Sequence, residues 1–411
     1  MRFLFLSAQV PSHLDWGGYL KTALELQQRG HAVSWASGAP VQPIIEQAGL
    51  PFHPVAETGW RWPPPPPLPM DPNDDGTTHQ QQMMIRSLDQ WLDLERVTAA
   101  TEDLITLGYD WQPDVIVSEN FVSAAALVAE KLSIPLAVVG WPAPNTLPPQ
   151  KSTSPPPLAS IFVEARRRLD SILATFDLQG TNWSMIGPPA LCSPHLHVTY
   201  WSPSWFTGVP IGKQTQHVGG QTNESIATST ILEKLPAPEL APWVLITLGT
   251  TFGNDPNFFI TAAHAAKNMG CLPLLALGGQ IPQAELPKLR ARLPRSTVVA
   301  QFLPLAEILP HVSAVIHHGG VGTTHAAIVH GIPQIIVPHA GDQRRQAQGI
   351  QRTKAGIAML PKDVTLDGLS QSLARLLPDL SPMRANAQAL QAEFATLGGV
   401  DRAADLLEHL I

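Results

Sequence analysis

Residues 314–324 of the chain read AVIHHGGVGTT, which joins a short apolar run to a glycine-rich turn. The apolar residues Ala314–His317 predict a buried strand, and the residues after the glycines predict a helix. Glycines let the backbone approach a ligand closely, and the first N–H groups of a helix attract an anion. Thr323 or Thr324 adds a hydroxyl, and His317-His318 adds a cationic donor. The segment therefore predicts a phosphate or diphosphate site.

Two other phosphate-binding motifs fit this segment less well. A P-loop places Gly-Lys-Ser/Thr after its glycines, and no such triplet follows here. A dinucleotide-binding loop has the spacing G-x-G-x-x-G, but after Gly320-Val321-Gly322 the third glycine is replaced by His325. The loop also lies deep in the second half of the chain rather than after its first strand. We therefore expect a phosphate ligand of another kind.

Apolar runs alternate with amphipathic stretches along the whole chain. In the first half the predicted strands are Phe3–Ser7, Ala32–Ala36, Val115–Val117 and 135–139. In the second half they are Val244–Leu248, Leu272–Leu277, Val298–Phe302, Ala314–His317 and Gln334–Val337. Continuous apolar strands separated by helices are typical of parallel sheets covered on both faces. The sequence therefore predicts a doubly wound α/β fold in two copies.

The composition excludes several classes of protein. Of 411 residues, 44% are apolar and 14% charged, which indicates a globular chain of two or three domains. The formal net charge is −7 and no basic run occurs, which argues against a nucleic-acid partner. Cys192 and Cys271 form neither a zinc ligand set nor a disulfide framework, so a cytoplasmic protein is expected. No stretch of about 18 apolar residues predicts a membrane span.

Proline-rich segments interrupt the pattern in the first half. Trp60–Asp75 cannot be helix or central strand, and Trp141–Leu158 is also rich in proline. Loops at the carboxyl ends of parallel strands bind ligands, so tryptophans in these segments are predicted to line an apolar ligand site. The tryptophans concerned are Trp60, Trp62 and Trp141. The carboxylates within Asp71–Asp75 predict a solvated turn rather than a metal site.

Several pieces of residues 301–346 match, in order, the donor-binding segment of a known family. They are FLP at 302–304, HHGGVGT at 317–323, GIP at 331–333 and PHAGDQ at 338–343. In these pieces the chain resembles the GT-B nucleotide-sugar glycosyltransferases, especially the bacterial family-1 enzymes that modify macrolides, aromatic polyketides and related natural products. Weaker matches at VLITLGT (244–250), HVG (217–219) and RGH (29–31) extend the resemblance over most of the chain.

The resemblance implies how the second half would bind a nucleotide sugar. It implies that His317 faces the diphosphate, that Thr250-Thr251 makes a second phosphate contact, and that Asp342-Gln343 binds sugar hydroxyls. Phe302 takes the position of an aromatic residue that stacks on the pyrimidine base. Because Leu305 replaces a polar nucleotide contact of the family, the base stays open between UDP and dTDP. The donor-site residues implied are Thr250, Thr251, Phe302, Leu303, His317, His318, Gly320, Val321, Gly322, Thr323, Asp342 and Gln343.

The same family uses a histidine after the first strand as a general base and a carboxylate that orients it. In the segment PSHLDWGG, at 11–18, His13 is the candidate base, although the family's Gly-His-x-x-Pro setting is incomplete. The loop is longer than usual, so Asp15 is an alternative base. Glu119 stands where the family often has Asp, and we expect it to pair with the base.

The resemblance implies a GT-B fold, with two facing Rossmann-like domains and a C-terminal helix that crosses back. We expect an acceptor-binding domain at 1–213, a donor-binding domain at 214–395 and the returning helix at 396–411, with the linker within Thr207–Ser229. The implied reaction is the inverting, metal-independent transfer of a hexose from a UDP- or dTDP-sugar to a hydroxyl of an apolar small molecule. No cofactor beyond the nucleotide sugar is expected, and the chain is expected to be a monomer or homodimer.

Other functions of the same fold remain open at this point. One is a lipid-directed glycosyltransferase or a sugar-nucleotide epimerase. Another is a non-catalytic, glycosyltransferase-like protein that activates a separate enzyme, which the incomplete setting of His13 would suit.

Overall fold

The computed structural model describes residues 1–14, 17–66, 68–69, 76–145, 156–184, 189–220, 235, 237–238, 240–250, 254–339 and 342–411. The chain divides into two compact units. The first comprises Met1–Tyr200, Pro210–Val218 and Val400–Ile411, and the second comprises Trp201–Val209 and Gly219–Gly399. The main division therefore follows Val218, whereas the sequence predicted a boundary at residue 213.

The first unit contains a seven-stranded parallel sheet. The strands of this unit are β1 (Arg2–Leu6), β2 (Ala32–Ser37), β3 (Phe52–Pro54), β4 (Val115–Glu119), β5 (Leu136–Val139), β6 (Trp183–Ser184), β7 (Ala190–Leu191), β8 (Leu196–Thr199) and β9 (Thr215–His217). Its helices are α1 (Tyr19–Gln28), α2 (Gln42–Gln47), α3 (Gly76–Ser87), α4 (Leu94–Trp111), α5 (Ser123–Leu132) and α6 (Pro156–Phe176). The sheet order is β3-β2-β1-β4-β5-β8-β9, while β6 and β7 pair separately as antiparallel strands.

Burial on both faces explains why the central strands of this sheet are continuous apolar runs. Every residue of β4 and β5 is buried, as are Phe3–Leu6 of β1. On one face, α5 packs through small side chains, including the fully buried Ala124–Ala126. Helices on both faces exclude water from the whole strand, so a polar alternation would leave polar groups buried.

The second unit contains a six-stranded parallel sheet. Its strands are β10 (Trp243–Thr247), β11 (Leu272–Ala276), β12 (Val298–Ala300), β13 (Val312–His317), β14 (Gln334–Ile336) and β15 (Gly356–Ala358), in the order β12-β11-β10-β13-β14-β15. Its helices are α7 (Pro256–Asn268), α8 (Leu286–Arg292), α9 (Leu305–Ile308), α10 (Val321–Val329), α11 (Gln343–Thr353), α12 (Leu366–Leu376) and α13 (Pro382–Ala395). Within the described residues, no helix combines the length and apolar character needed to cross a membrane.

Both sheets have the strand order of a doubly wound fold. In each unit the chain starts at the centre, moves to one edge and returns to the other side. The return makes the first and fourth strands neighbours, namely β1 with β4 and β10 with β13. Connections leave these neighbours towards opposite sides and open a crevice at their carboxyl ends, where ligands bind in such sheets. The predicted α/β fold in two copies is confirmed.

The C-terminal helix α14 (Gly399–Glu408) returns to the first unit, as predicted. Arg29, which follows α1, donates to Asp405 over 2.8 Å and to Glu408 over 3.0 Å. His31 contacts Glu408 at 2.7 Å, and this hydrogen bond lowers the pKa of the Glu408 carboxyl group. The Arg-Gly-His segment therefore holds the last helix against the first unit.

The segment Trp201–Val209 belongs to the second unit, although residues of the first unit flank it on both sides. Trp201 and Trp205 stack with ring centroids 4.7 Å apart, and His325 of α10 packs edge-on against Trp201 at 5.5 Å. A Cβ atom added to Gly349 of α11 would lie 2.1 Å from Cε2 of Trp205. The two indoles therefore fill the core beneath α10 and α11, and His325 is a core residue.

Two regions differ from the sequence-based expectation. The predicted linker Thr207–Ser229 contains an edge strand, β9, and its residues 221–229 lie outside the described residues. The long helix α4 was not predicted, although Asp93 marks its start by accepting a hydrogen bond from the backbone N–H of Arg96.

Candidate active site

The first unit brings His13 and Glu119 together at the carboxyl ends of its two central strands. Glu119 is the last residue of β4, and His13 ends a 3-10 turn, Pro11–His13, that follows β1. The Nδ1 atom of His13 lies 3.0 Å from Oε2 and 3.2 Å from Oε1 of Glu119. With Nδ1–H donated to the carboxylate, Nε2 is the ring nitrogen whose lone pair can take a proton. The two residues predicted as base and orienting carboxylate thus meet.

Backbone groups hold the carboxylate of Glu119 in place. The side chain is fully buried, and the backbone N–H of Ala8 donates to its Oε1 over 2.5 Å. The hydroxyl of Tyr19 lies 2.8 Å from the carbonyl oxygen of Leu6 and 3.0 Å from that of Val117. These contacts tie the ends of β1 and β4 together. A carboxylate removed from water is tolerated only where donors surround it, and the backbone N–H of Ala8 and Nδ1 of His13 are such donors.

Two aromatic side chains from other loops lie beside His13. The ring of Phe121 is 4.9 Å from the imidazole, with an angle of 33° between the planes. Trp60 meets Phe121 edge-on, with centroids 4.5 Å apart. Trp60 was predicted to line a ligand site, and it lies one ring away from the candidate base. Phe121 was not predicted, because its only signal in the sequence is its place two residues after a carboxylate at a strand end.

The remaining residues predicted for the acceptor side are arranged differently. Asp15, the alternative base, and the Asp71–Asp75 group lie outside the described residues. Trp62 is 40% exposed, whereas Trp141 is 5% exposed and its carbonyl oxygen lies 3.4 Å from a ring nitrogen of His197. The structure corrects the expectation that Trp141 lines a ligand site, because its indole is packed inside the unit. No group of three or more potential metal ligands occurs among the described residues.

In the second unit, the loops after β10 and β13 close around the ring of His318. A Cβ atom added to Gly249 would lie 2.6 Å from Cε1 of His318, and one added to Gly320 would lie 2.5 Å from its Nε2. Both glycines therefore make room for the histidine itself. Thr250, the residue after Gly249, is exposed at this edge of the sheet, while Thr251 lies outside the described residues.

His317 is a buried structural residue, which corrects the expectation that it faces a diphosphate. Its side chain is fully buried, and its Nε2 donates to Oε1 of Gln334 over 2.8 Å. The backbone N–H of Gly319 donates to its Nδ1 over 3.2 Å. Both ring nitrogens therefore serve protein partners. The amide of Gln334 donates in turn to the carbonyl oxygen of Thr324, so His317 connects β13 to β14 and α10.

Burial keeps both histidines of the pair neutral. Desolvation lowers the pKa of His317 to about 4 and that of His318 to about 3. The neighbouring His317 and His339 lower the pKa of His318 further, while a hydrogen bond to the backbone of Thr247 opposes the shift. The expected cationic donor is thus a neutral imidazole near pH 7. His318, which is 7% exposed, is the member of the pair nearer the surface.

The N terminus of α10 is open to a ligand. Gly320 occupies the N-cap position, so no side chain caps the first turn. A Cβ atom added to Gly322 would meet no described atom within 4 Å, which means that space lies directly beside the first N–H groups. Val321 is 7% exposed and Thr323 is half-buried at the same turn. Uncapped N–H groups and the positive end of the helix dipole are suited to an anion, so binding of a phosphate here stays a prediction.

An exposed aromatic ring follows an edge strand of the second unit's sheet. Phe302 follows β12 and is 67% exposed, whereas the next residue, Leu303, is buried in the core. A Cβ atom added to Gly279 would lie 3.4 Å from the ring of Phe302. Glycine therefore leaves the ring space on one side, and its exposed surface is available for stacking on a planar group.

Asp342 and Gln343 begin α11 but have different surroundings. Gln343 is 3% exposed, and its Oε1 accepts a hydrogen bond of 2.8 Å from the backbone N–H of His339. Asp342 occupies the N-cap position and is half-buried. The carboxamide oxygen of Gln343 thus supports the preceding loop, so Asp342 is the better placed of the two for a ligand hydroxyl.

The chain is similar in sequence to known glycosyltransferases, and the aligned share of each protein differs from one relative to another. Residues 280–403 match the erythromycin biosynthesis protein CIII-like, C-terminal domain. The chain is 32% identical over 170 residues to demethyllactenocin mycarosyltransferase of Streptomyces fradiae, which covers 41% of this chain and 36% of that protein. It therefore spans about a third of that relative. It is 22% identical over 411 aligned residues to the NDP-glycosyltransferase YjiC of Bacillus subtilis strain 168, covering 97% of this chain and 95% of the relative.

Solved structures match the whole chain. The calicheamicin glycosyltransferase CalG4 superposes with a TM-score of 0.76 at 20% identity, covering 100% of this chain and 98% of that one. The spinosyn rhamnosyltransferase SpnG complexed with thymidine diphosphate superposes with a TM-score of 0.71 at 21% identity, covering 100% of both. The chain therefore has the GT-B fold and is similar to family-1 type natural-product glycosyltransferases, and its residues 280–403 match the erythromycin biosynthesis protein CIII-like, C-terminal domain.

Proposed function

We propose that the protein transfers a hexose from a UDP- or dTDP-sugar to a hydroxyl of an apolar small molecule, with inversion and without a metal ion. The contact of 3.0 Å between His13 and the buried Glu119 carries this proposal. A unit that only bound a nucleotide would have no need of a buried carboxylate directed at a histidine. An oriented imidazole at the carboxyl ends of two central strands is suited to proton abstraction.

The acceptor loses its proton to His13 in this mechanism. The hydroxyl oxygen forms a bond to the anomeric carbon while its proton passes to Nε2. The imidazolium that results is stabilised by the carboxylate of Glu119, which also holds Nδ1 in its protonated form. The attack comes from the face opposite the diphosphate, so the configuration at the anomeric carbon inverts.

The second unit receives the leaving group. As the bond between the anomeric carbon and the diphosphate oxygen breaks, negative charge collects on the diphosphate. The first N–H groups of α10, at Gly322 and Thr323, are in place before the reaction and stabilise that charge. His318 donates from a neutral ring, Asp342 binds sugar hydroxyls and Phe302 stacks on the pyrimidine.

The relatives support the substrate classes. The name of the Streptomyces fradiae relative describes a mycarosyltransferase, and one solved relative is a rhamnosyltransferase with thymidine diphosphate bound. A further one, the glycosyltransferase VinC, is also described in complex with dTDP. These names favour a dTDP-sugar as donor and a natural-product hydroxyl as acceptor, and UDP-sugars are included because the base contact of this chain departs from the family.

The proposal is tested by measuring nucleotide release and product mass together. The full chain is incubated with UDP- and dTDP-hexoses, with and without a panel of apolar polyketide aglycones. Transfer predicts an adduct whose anomeric configuration, read from its proton coupling constant, is opposite to that of the donor. Nucleotide binding without release, with every donor and acceptor, would indicate a non-catalytic partner. Conversion of the donor sugar into an epimer without acceptor would indicate an epimerase.

A further inference from the structure

We infer that Phe121 is a positioning residue for His13, because its ring sets the plane of the imidazole and thus the direction of Nε2. This inference rests on the proposed function, in which His13 is the base. It adds a residue that neither the family pattern nor the sequence motifs of this chain point to.

The contact with Glu119 leaves the tilt of the imidazole undetermined. Both carboxylate oxygens lie within 3.2 Å of Nδ1, which fixes the position of that atom. The ring can still tilt by small, coupled changes of its two side-chain torsions that keep Nδ1 within hydrogen-bond range of the carboxylate, and this tilt moves Nε2. His13 ends a short 3-10 turn, and its side chain is 15% exposed, so the neighbouring side chains that cover the rest of the ring limit this motion.

The ring of Phe121 opposes that tilt. Its centroid lies 4.9 Å from that of the imidazole and the two planes are tilted by 33°, so the rings are in contact and the imidazole cannot tilt further towards Phe121. Phe121 is itself close to a fixed point, since Glu119, two residues earlier, ends β4 and the helix α5 begins two residues later. An aromatic face also favours the imidazolium formed when His13 takes a proton, because the ring carries partial negative charge on its face.

Trp60 holds Phe121 from the other side. Its indole meets the phenyl ring edge-on at 4.5 Å and 61°. The backbone N–H of the next residue, Arg61, donates to the carbonyl oxygen of Gln90 over 2.8 Å, which anchors this loop to the unit. Three loops, following β1, β3 and β4, are thus joined through three rings. The base keeps its orientation because the aromatic rings of neighbouring loops confine it.

The substitution Phe121→Leu removes the ring and keeps an apolar side chain of similar volume. We expect kcat to fall about 10- to 100-fold, the range associated with a small misplacement of a catalytic group. The KM for the donor should stay within about twofold, because the donor is assigned to the other unit. Phe121→Tyr keeps the ring and should restore kcat to within about threefold of the parent. Phe52→Leu is the matched control, a half-buried phenylalanine of the same unit, and should leave kcat unchanged.

A second measurement, proton NMR, detects the contact between the rings of His13 and Phe121 without any turnover. The carbon-bound imidazole protons of His13, assigned by their loss in His13→Gln, should resonate upfield in the parent and in Phe121→Tyr, and move downfield in Phe121→Leu. Full activity of Phe121→Leu, or failure of Phe121→Tyr to restore activity, would overturn the inference. If His13→Ala also retained full transfer, the proposed function itself would fail. An inactive His13→Ala beside a fully active Phe121→Leu would reject only the role of Phe121.

Discussion

Gln334 accepts a hydrogen bond of 2.8 Å from His317, so the first histidine of the glycine-rich segment is tied to the neighbouring strand. The pair is fully enclosed, and the other side of the Gln334 carboxamide reaches the first turn of α10. These hydrogen bonds fix the position of the end of β13 relative to β14 and to the helix α10. The glycine-rich turn, which the sequence predicts to bind an anion, is therefore supported by a neutral histidine.

His317→Ala should reduce stability more than nucleotide binding. The substitution leaves Oε1 of Gln334 buried without its donor, which typically costs about 1–3 kcal/mol of the free energy of unfolding. Urea denaturation measures this loss, and calorimetry with dTDP and UDP measures the affinity of the folded variant. His318→Ala serves as the comparison and should weaken nucleotide binding. If His317→Ala kept the stability of the parent but lost nucleotide binding, His317 would contact the diphosphate after all.

Gly322→Ala tests whether a ligand approaches the N terminus of α10. The added methyl group meets no described protein atom within 4 Å, and alanine favours the helix, so stability should be unchanged or higher. A diphosphate on the N–H groups would collide with the methyl group, and dTDP affinity should fall about tenfold, or 1.4 kcal/mol. Gly320→Ala differs because its Cβ would lie 2.5 Å from His318, so it should lower the melting temperature. Parent-like affinity in Gly322→Ala would place the diphosphate elsewhere.

His13→Ala should fold normally and bind dTDP, yet lose most transfer activity. Removing a general base typically slows a reaction by about 100- to 10,000-fold. Glu119→Gln should cost less, because the amide oxygen can still accept the hydrogen bond from Nδ1. Turnover at saturating donor measures both losses, and calorimetry provides the binding control. Should Asp15→Asn abolish turnover while His13→Ala leaves it intact, the base is Asp15.

Transfer activity should survive EDTA. In the proposed mechanism the charge of the leaving diphosphate is carried by N–H groups of α10 and by His318 rather than by a cation. Initial rates are compared before and after dialysis against the chelator, then again after magnesium or manganese is added. Activity that disappears with EDTA and returns with either metal would contradict this part of the mechanism.

Buried histidines should make the protein less stable in mild acid. Burial lowers the pKa of His197 and His317 to about 4 and that of His318 to about 3, from the ordinary value of 6.5. At a pH between the lowered pKa values and 6.5, the unfolded chain binds more protons than the folded chain. The free energy of unfolding should therefore fall as the pH drops below about 6.5. Each histidine that stays neutral contributes about 1.4 kcal/mol per pH unit. Urea unfolding at pH 7 and pH 5.5 measures the slope, which His317→Gln should reduce. A free energy that is constant over this range would contradict the effect.

The doubly wound fold was predictable because buried parallel strands must be apolar throughout. The pairing of His13 with Glu119 was expected from the resemblance alone, since the sequence predicted only two strands before β4 and the neighbouring carboxyl ends of β1 and β4 become visible only in the sheet order. The choice between His317 and His318 was not predictable. Both end the same apolar run, and the partner that commits His317 is Gln334, which is brought beside it only when β14 joins the sheet.

The role of a tryptophan after a strand was equally hidden. Trp60 and Trp141 both stand in proline-rich loops, and an indole suits a ligand wall and a packed interior alike. The two tryptophans differ in the residues that surround them in the folded unit. Trp60 meets Phe121 beside His13, while Trp141 is almost fully enclosed near His197. Neither set of contacts is local in the sequence, so composition and spacing do not distinguish them.

The affiliation of Trp201–Val209 with the second unit governs how chimeric enzymes can be assembled from relatives. A crossover at residue 218 would keep this segment with the incoming first half and present a foreign side chain to the slot left by Gly349 for Trp205. At the C terminus the same crossover would combine the first unit of one parent with the last helix of the other, because the residues after Gly399 belong to the first unit. A chimera in which each segment comes from the same parent as the unit that it packs into should keep the cores of both units intact.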